Sequence, residues 1–200
     1  ENLFGCEYTV IPNLVSEVFT KNDVVNAPPA DKKFTFIHIG AFESHKRHDV
    51  LLKAFSQAFR GKENIKLNLV GTGSLYIEIK HMASSLGIDF QVLFMGELDR
   101  AKLAATMDHS NALVISSEYE TFGLVAAEAL FRGRPVLSTR CGGPESIVNK
   151  QNGLLCNVND ATDMAEKMRT LYASYSRFNA LEIAATARTL YSEDTIASEL

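Results

Sequence analysis

Ala112-Leu113-Val114-Ile115-Ser116-Ser117-Glu118-Tyr119-Glu120-Thr121-Phe122-Gly123-Leu124-Val125-Ala126-Ala127-Glu128 is the stretch that decides the fold of this chain. Its run Leu113-Val114-Ile115 is continuously apolar, the pattern of a strand covered on both faces. A strand is therefore expected over Ala112 to Ser116, then a polar loop, then a helix over Phe122 to Arg132. Gly123 stands where that helix begins and lets the backbone approach an anion closely. A helix N-terminus carries free N–H groups and a partial charge of roughly +0.5, so strand, loop and helix together make an anion-binding turn. Glu120 ends the loop and Glu128 lies on the second turn of the helix, so a ligand above the helix start meets a carboxylate from each. Sugar rings need such acceptors for paired hydroxyls, and phosphates between them need N–H donors. Two acids taken alone read as surface carboxylates. The apolar strand and the glycine favour the ligand reading, as do Leu124, Val125, Ala126, Ala127, Ala129 and Leu130 around Glu128, because an acid in so apolar a segment usually has a specific partner.

The same alternation extends in both directions. Phe34 to Ile39, Ile65 to Val70, Phe90 to Met95, Pro135 to Ser138 and Gly153 to Cys156 read as further strands. Asp49 to Phe59, Ser74 to Leu86, Arg100 to His109 and Gly143 to Asn149 read as helices between them. Leu51, Leu52, Phe55 and Phe59 recur at helical spacing behind a possible N-cap at Asp49 and belong to the core. Strands alternating with helices predict parallel pairing through right-handed crossovers, hence an α/β, doubly wound, Rossmann-like sheet with helices on both faces. Asn26-Ala27-Pro28-Pro29-Ala30-Asp31 reads as a turn or linker, because two prolines forbid a continued helix. Ahead of it, Tyr8 to Ile11 is strand-like and stops at Pro12-Asn13. From Asp160 onward the pattern is helical, first with Met164, Met168, Leu171 and Tyr175 on one stripe, then over Leu181 to Leu200.

The chain has 200 residues, 46% apolar and 22% charged, the size and composition of one globular domain. A net charge of -4 argues against broad binding to nucleic acid or anionic membrane, both of which need a basic field, so any anion site is local. Cys6, Cys141 and Cys156 are odd in number and widely spaced, which reads as reduced structural thiols of a cytoplasmic protein. No apolar run approaches the roughly 20 residues that cross a bilayer, and Glu1-Asn2-Leu3-Phe4 opens no signal peptide.

Ligands of open parallel sheets bind at the carboxyl ends of the strands, so the loops there carry the function. Gly40 to His48 places Lys46 and Arg47 just before a helix, an arrangement that holds a diphosphate but taken alone equally describes a solvated basic loop. Gly71-Thr72-Gly73-Ser74 opens like a dinucleotide fingerprint, but Tyr76 stands where the third glycine belongs, which leaves a tight turn. Thr139-Arg140-Cys141-Gly142-Gly143-Pro144-Glu145 reads either as another wall of the same crevice or as a tight structural turn. His45 and His48 read best as solvent-facing loop residues.

In order, Ile11-Pro12-Asn13, Gly40 through Lys46, Phe94-Met95-Gly96, Glu120-x-Phe122-Gly123 with Glu128, Gly133-x-Pro135-Val136 and Gly142-Gly143-Pro144-Glu145 resemble the motifs of one family. It is the retaining glycosyltransferases of the GT-B fold, specifically glycosyltransferase family 4, within glycosyltransferase group 1, and the likeness covers nearly the whole chain as the C-terminal, donor-binding domain. The spacing from Glu120 to Glu128 matches the family's pair of glutamates. The resemblance implies that Lys46 and Arg47 meet the donor diphosphate, with backbone N–H groups around Thr121, Phe122, Gly123 and Leu124. It further implies that Glu128 binds the ribose, that Gly96 and Leu98 lie against the base, and that Glu120 positions the donor sugar and, with Lys46, carries the catalysis. The family commonly has arginine where this chain has Ala41, so Arg47 or another cation must substitute or the diphosphate is held less firmly. In glycosyl transfer, negative charge grows on the departing nucleoside diphosphate, and Lys46 with the helix start acts on that charge. The sequence has no Asp-x-Asp pair, and the resemblance implies catalysis with no metal or other cofactor. Pairing Glu120 with Glu118 as in a glycoside hydrolase requires a measured separation.

These readings divide the chain into an interdomain junction and leader over 1–30, the nucleotide-sugar-binding domain over 31–178 and a C-terminal helix over 179–200 that packs back toward an N-terminal domain. That second domain would bind the acceptor, a glycan or lipid, and provide any membrane contact; nothing before Tyr8 encodes it, so the 200 residues are expected to bind nucleotide without turning over alone. The expected role is donor binding in polysaccharide or glycolipid synthesis in the cytoplasm, peripheral at the inner face of the membrane at most. A sugar-nucleotide epimerase and an inert nucleotide-sugar-binding module are the alternatives.

Overall fold

The computed structural model describes residues 15–20 and 33–191. Cys6, the Ile11-Pro12-Asn13 junction, the Asn26 to Asp31 turn and positions 192–200 of the last helical pattern lie outside the described residues. The elements are α1 (Glu17–Thr20), β1 (Phe34–Ile39), α2 (His48–Phe59), β2 (Ile65–Val70), α3 (Tyr76–Ser85), β3 (Val92–Gly96), α4 (Arg100–Asp108), β4 (Ala112–Ile115), α5 (Leu124–Phe131), β5 (Val136–Thr139), α6 (Gly143–Ile147), β6 (Gly153–Cys156), α7 (Ala161–Ala173) and α8 (Ala180–Tyr191). The six strands form one sheet in the order β3-β2-β1-β4-β5-β6, parallel throughout. This is the expected doubly wound, Rossmann-like arrangement. After β3 the chain crosses to β4 on the other side of β1, which opens a crevice between the loops that follow β1 and β4.

On one face α2 packs against α3 and α7; on the other α5 packs against α1, α6 and α8, with α1 also against α4. Leu51, Leu52, Phe55 and Phe59 are fully buried, as their helical spacing predicts. Phe36 stacks on Phe59 with centroids 5.6 Å apart, and Phe34 meets Tyr172 and Tyr175 edge-on at 5.1 Å. The stripe predicted through Tyr175 breaks after Ala173, where a 3-10 turn over Tyr175–Arg177 carries the tyrosine back onto Phe34. In α8, Ile183, Ala184 and Ala187 are buried.

Among the boundaries that differ from the expected ones, three do so for identifiable reasons. The third strand begins at Val92, not Phe90, because Gln91 turns inward and its Nε2 donates to the Phe59, Lys62 and Ile65 carbonyls at 3.0, 2.9 and 3.1 Å. Phe90 is left outside, half exposed under the Lys66 ammonium. Helix α5 begins at Leu124, not Phe122, because Gly123 takes φ 83, a left-handed conformation that ends the loop instead of opening a turn of helix. Helix α6 stops at Ile147, where Val148 turns extended at φ -90 and ψ 126.

Candidate active site

The loop after β1 folds as a 3-10 turn over Ser44–Lys46 and ends at Arg47 in a left-handed conformation, φ 50. Across the crevice the loop after β4 takes hold of it: the Ser116 hydroxyl donates to the Lys46 carbonyl at 2.7 Å, and the Glu118 N–H to the His45 carbonyl at 2.7 Å. The Lys46 ammonium is thereby directed at Glu120, with Nζ 2.5 Å from Oε1, and the Ser117 hydroxyl donates to that same oxygen at 2.7 Å. Both side chains are about one-fifth exposed, 19% and 21%, so the pair borders solvent while mostly enclosed by protein.

Glu120 is fixed by the loop after β5. Its N–H donates to the Cys141 carbonyl at 2.7 Å and its own carbonyl accepts from the Gly143 N–H at 2.8 Å. The glycines of that loop are required by this contact, since a Cβ on Gly143 would lie 2.4 Å from the Phe122 backbone and one on Gly142 2.9 Å from the Glu120 carbonyl. By sequence this loop reads as either a wall or a tight turn. It is tight because it seats the wall. Gly123 completes the fit, with its α-carbon turned against the Pro144 ring, and α5 begins there with no side-chain cap. Thr121 is exposed and Phe122 and Leu124 are half-buried at that helix start.

Glu128, expected to have a specific partner, has one that sequence reasoning did not find. Arg100, the first residue of α4, donates from Nη1 to Glu128 Oε1 at 2.6 Å. The Glu128 side chain is 3% exposed and that of Arg100 55%. Burial raises the Glu128 pKa, and the Arg100 charge and hydrogen bond oppose that rise. The connection that delivers Arg100 also carries the residues expected at the base: Gly96, in a left-handed conformation at φ 66, and Leu98, half-buried two positions before Arg100. Leu98 borders an open hollow with Asn68 and Met95.

Arg47 is turned away from Lys46. Its Nε and Nη2 donate to the Asp49 carboxylate at 3.0 and 3.2 Å, and Nη1 donates to Asn159 in the loop after β6. Asn159 donates in turn to Glu118 at 3.2 Å. Ala41 is exposed. The reading of His48 as solvent-facing is corrected by its burial to 2%: it stacks on Phe42 at 4.3 Å and meets His38 edge-on at 4.6 Å. His38 donates from Nδ1 to the Val114 carbonyl at 2.9 Å. Burial lowers the His38 pKa to about 4, and burial together with the charges of His38 and Lys46 lowers that of His48 to about 2, so both rings are neutral beneath the site. His45 is half-buried against the Tyr119 ring at 5.1 Å. Gly71 and Gly73 pack the loop after β2 onto Gly40 and Phe42, where any Cβ would meet backbone at 2.1 and 2.7 Å, as a tight turn requires. Among the described residues no group of three or more His, Cys, Asp or Glu side chains is placed to hold a metal ion, and no helix is long and apolar enough to cross a membrane.

Residues 20–188 match the family model described as Glycosyl transferases group 1. The chain is 34% identical over 161 residues to N-acetyl-alpha-D-glucosaminyl L-malate synthase of Bacillus anthracis, covering 78% of this chain and 42% of that protein. It thus spans less than half the length of such relatives. Among solved structures, Anabaena Alr3699/HepE in complex with UDP superposes with a TM-score of 0.80 at 21% identity, over 96% of this chain and 55% of the other. The C-terminal domain of a glycosyl transferase group 1 family protein (LpcC) from Francisella tularensis does so with a TM-score of 0.72 at 20% identity, over 87% of this chain and 97% of the other. With the parallel sheet, the loops at its switch point and this match in hand, the chain belongs to the group 1 glycosyltransferases.

Proposed function

We propose that these residues are the donor-binding domain of a retaining glycosyltransferase that moves a sugar from a nucleoside-diphosphate sugar to an acceptor. The observation that carries the reading is the Lys46–Glu120 pair, 2.5 Å apart, beside the start of α5 where no side chain caps the helix. A diphosphate seated there takes the ammonium and the N–H groups around Gly123 as its counter-charge, and Glu120, released from Lys46, accepts hydroxyls of the donor sugar. As the bond to the anomeric carbon breaks, charge grows on the leaving diphosphate, where Lys46 and the helix dipole stabilise it more than in the ground state. Glu128 accepts the ribose hydroxyls, and Gly96 and Leu98 flank the base. Arg47 joins the diphosphate only by leaving Asp49 and Asn159, so Lys46 is the principal cation. No cofactor or metal enters this scheme.

The acceptor, a glycan or lipid as in polysaccharide or glycolipid synthesis, is bound outside these residues by a second Rossmann-like domain, and the protein works in the cytoplasm. The complex of HepE with UDP supports a nucleoside diphosphate as the first ligand to test. Isothermal titration of the chain with UDP, GDP, ADP and their sugars, against Lys46→Ala and Glu128→Ala, tests the site. Binding by the wild type that either substitution weakens supports it. If none of the nucleotides binds, or if both variants bind as the wild type does, the assignment is wrong. Donor consumption by the full-length protein, lost in Glu120→Ala, separates a transferase from an inert binding module.

A further inference from the structure

We infer that Arg100 is a positioning residue for nucleotide binding, reaching from the start of α4 to keep the buried Glu128 side chain a carboxylate, aimed as a hydrogen-bond acceptor. The inference rests on the reading of Glu128 as the ribose site, and it gives a function to a contact that reading does not use.

Glu128 sits in a helix whose other residues are all apolar, with 3% of its side chain exposed. An isolated carboxylate in such a place takes up a proton instead of remaining charged. Protonated, one oxygen becomes a donor, and the group loses the stronger, charge-assisted acceptance of two neighbouring hydroxyls. The cation that opposes this is Arg100, 2.6 Å from Oε1. The Arg100 side chain stays half exposed while that of Glu128 is almost wholly buried, so desolvation falls mainly on the carboxylate. The other charged or titratable groups on elements around α5 have other settings: Lys102 pairs with Asp99 at 3.2 Å, Arg132 with Asp108 at 2.7 Å and Glu145 with Arg140 at 3.8 Å. Glu17 lies on α1, and Glu182, Arg188 and Tyr191 on α8. After burial, the influences on Glu128 are the charge and hydrogen bond of Arg100.

The sign of the pH effect follows. Burial raises the Glu128 pKa, so the acceptor form is lost as pH falls through that raised value. Removing Arg100 raises the value further and moves the loss of nucleotide affinity to higher pH. The structure thus assigns Arg100 a role that a conservative cation should rescue.

The test uses Arg100→Met and Arg100→Lys, alone and with Glu128→Gln. The Glu128 side-chain carboxyl carbon is titrated by NMR, and UDP, GDP and ADP affinities are measured by calorimetry over about pH 5 to 9. In Arg100→Met the carboxyl titration moves to higher pH, nucleotide affinity at neutral pH falls about tenfold, and it rejoins the wild type at the alkaline end. Arg100→Lys recovers most of that loss, and in Glu128→Gln, Arg100→Met adds nothing. An unmoved carboxyl titration overturns the inference, as does a loss of affinity equal at every pH, which would mean that Arg100 touches the nucleotide or that the fold has suffered. If the wild type binds none of the three nucleotides, the proposed function falls, while the carboxyl titration still decides whether Arg100 governs Glu128.

Discussion

Gly143→Ala is the substitution that the geometry condemns most directly. The added Cβ would lie 2.4 Å from the Cα, carbonyl carbon and oxygen of Phe122, all backbone atoms that cannot rotate aside. Relief requires the segment from Glu120 to Phe122 to withdraw by about 1 Å, to ordinary contact distance, or α6 to retreat with β5 behind it. Overpacking of this kind costs about 1–3 kcal/mol of stability. The withdrawn segment holds Glu120 and leads into Gly123, and a misplacement of about 1 Å at such a group lowers affinity or rate by up to about 100-fold. Gly61→Ala separates the two effects: Gly61 has φ 83 with nothing within 4 Å, so alanine there is strained, by about 1–2 kcal/mol, without touching the crevice. Urea unfolding of both variants and calorimetric titration with UDP form the assay. Both should be destabilised by similar amounts, and only Gly143→Ala should lose nucleotide binding. A Gly143→Ala protein as stable as wild type, with unchanged affinity, would refute the claim that these glycines seat the wall of the site.

Lys46→Ala should weaken nucleotide binding about tenfold or more while shifting stability by no more than about 1 kcal/mol, because the lost pair borders water; comparison of titration with urea unfolding checks this. His48→Leu should flatten the acid limb of the stability curve. The folded-state pKa of His48 is lowered to about 2 from 6.5, so between those values the unfolded chain binds the extra proton and wild-type stability falls as pH drops. The advantage of the variant should therefore grow below pH 6.5 by up to about 1.4 kcal/mol per pH unit, read from urea midpoints at several pH values. Gln91→Leu takes the side-chain donor from three carbonyls, of which those of Phe59 and Lys62 keep the N–H groups of Lys62 and Ile65, and should cost about 1–3 kcal/mol in the same assay.

The strands were legible because each declares itself within a few residues: Phe34–Ile39, Ile65–Val70 and Gly153–Cys156 occupy the predicted bounds, and apolar runs between turn residues need no knowledge of distant neighbours. The candidate residues Lys46, Glu120 and Gly123 were legible for a related reason, since loops at the carboxyl ends of strands on either side of a switch point must converge. Arg100 was not. Nothing in Asp99-Arg100-Ala101-Lys102 distinguishes that arginine from any solvated cation at a helix start, and its partner is 28 residues away. Only the β3-to-β4 crossover, which brings the start of α4 beside α5, creates the pair. His48 was misread for the opposite cause: a polar residue between Arg47 and Asp49 looks exposed, and only the packing of α2 on the sheet, with Phe42 folded over it, turns the ring inward. Gln91 delayed the start of a strand by the same kind of long-range demand.

Arg47 at φ 50 and Asn159 at φ 61 are the non-glycine residues with left-handed backbone among the described residues, and they are hydrogen-bonded to each other. For Arg47 that conformation costs about 1–2 kcal/mol by itself and persists only where surroundings over-determine it, whereas an asparagine adopts it more readily. Here the two turns brace one another, while Glu118 and Asp49 take their remaining donors, so that loops from β1, β4 and β6 share one knot. Such a knot has no stable half-open form: a loop that comes loose lets the opposite backbone relax to an ordinary conformation, and nothing then pulls it back. Opening of the crevice floor should thus be cooperative, with the turn that carries Lys46 and the entry to α7 exchanging with solvent as one unit.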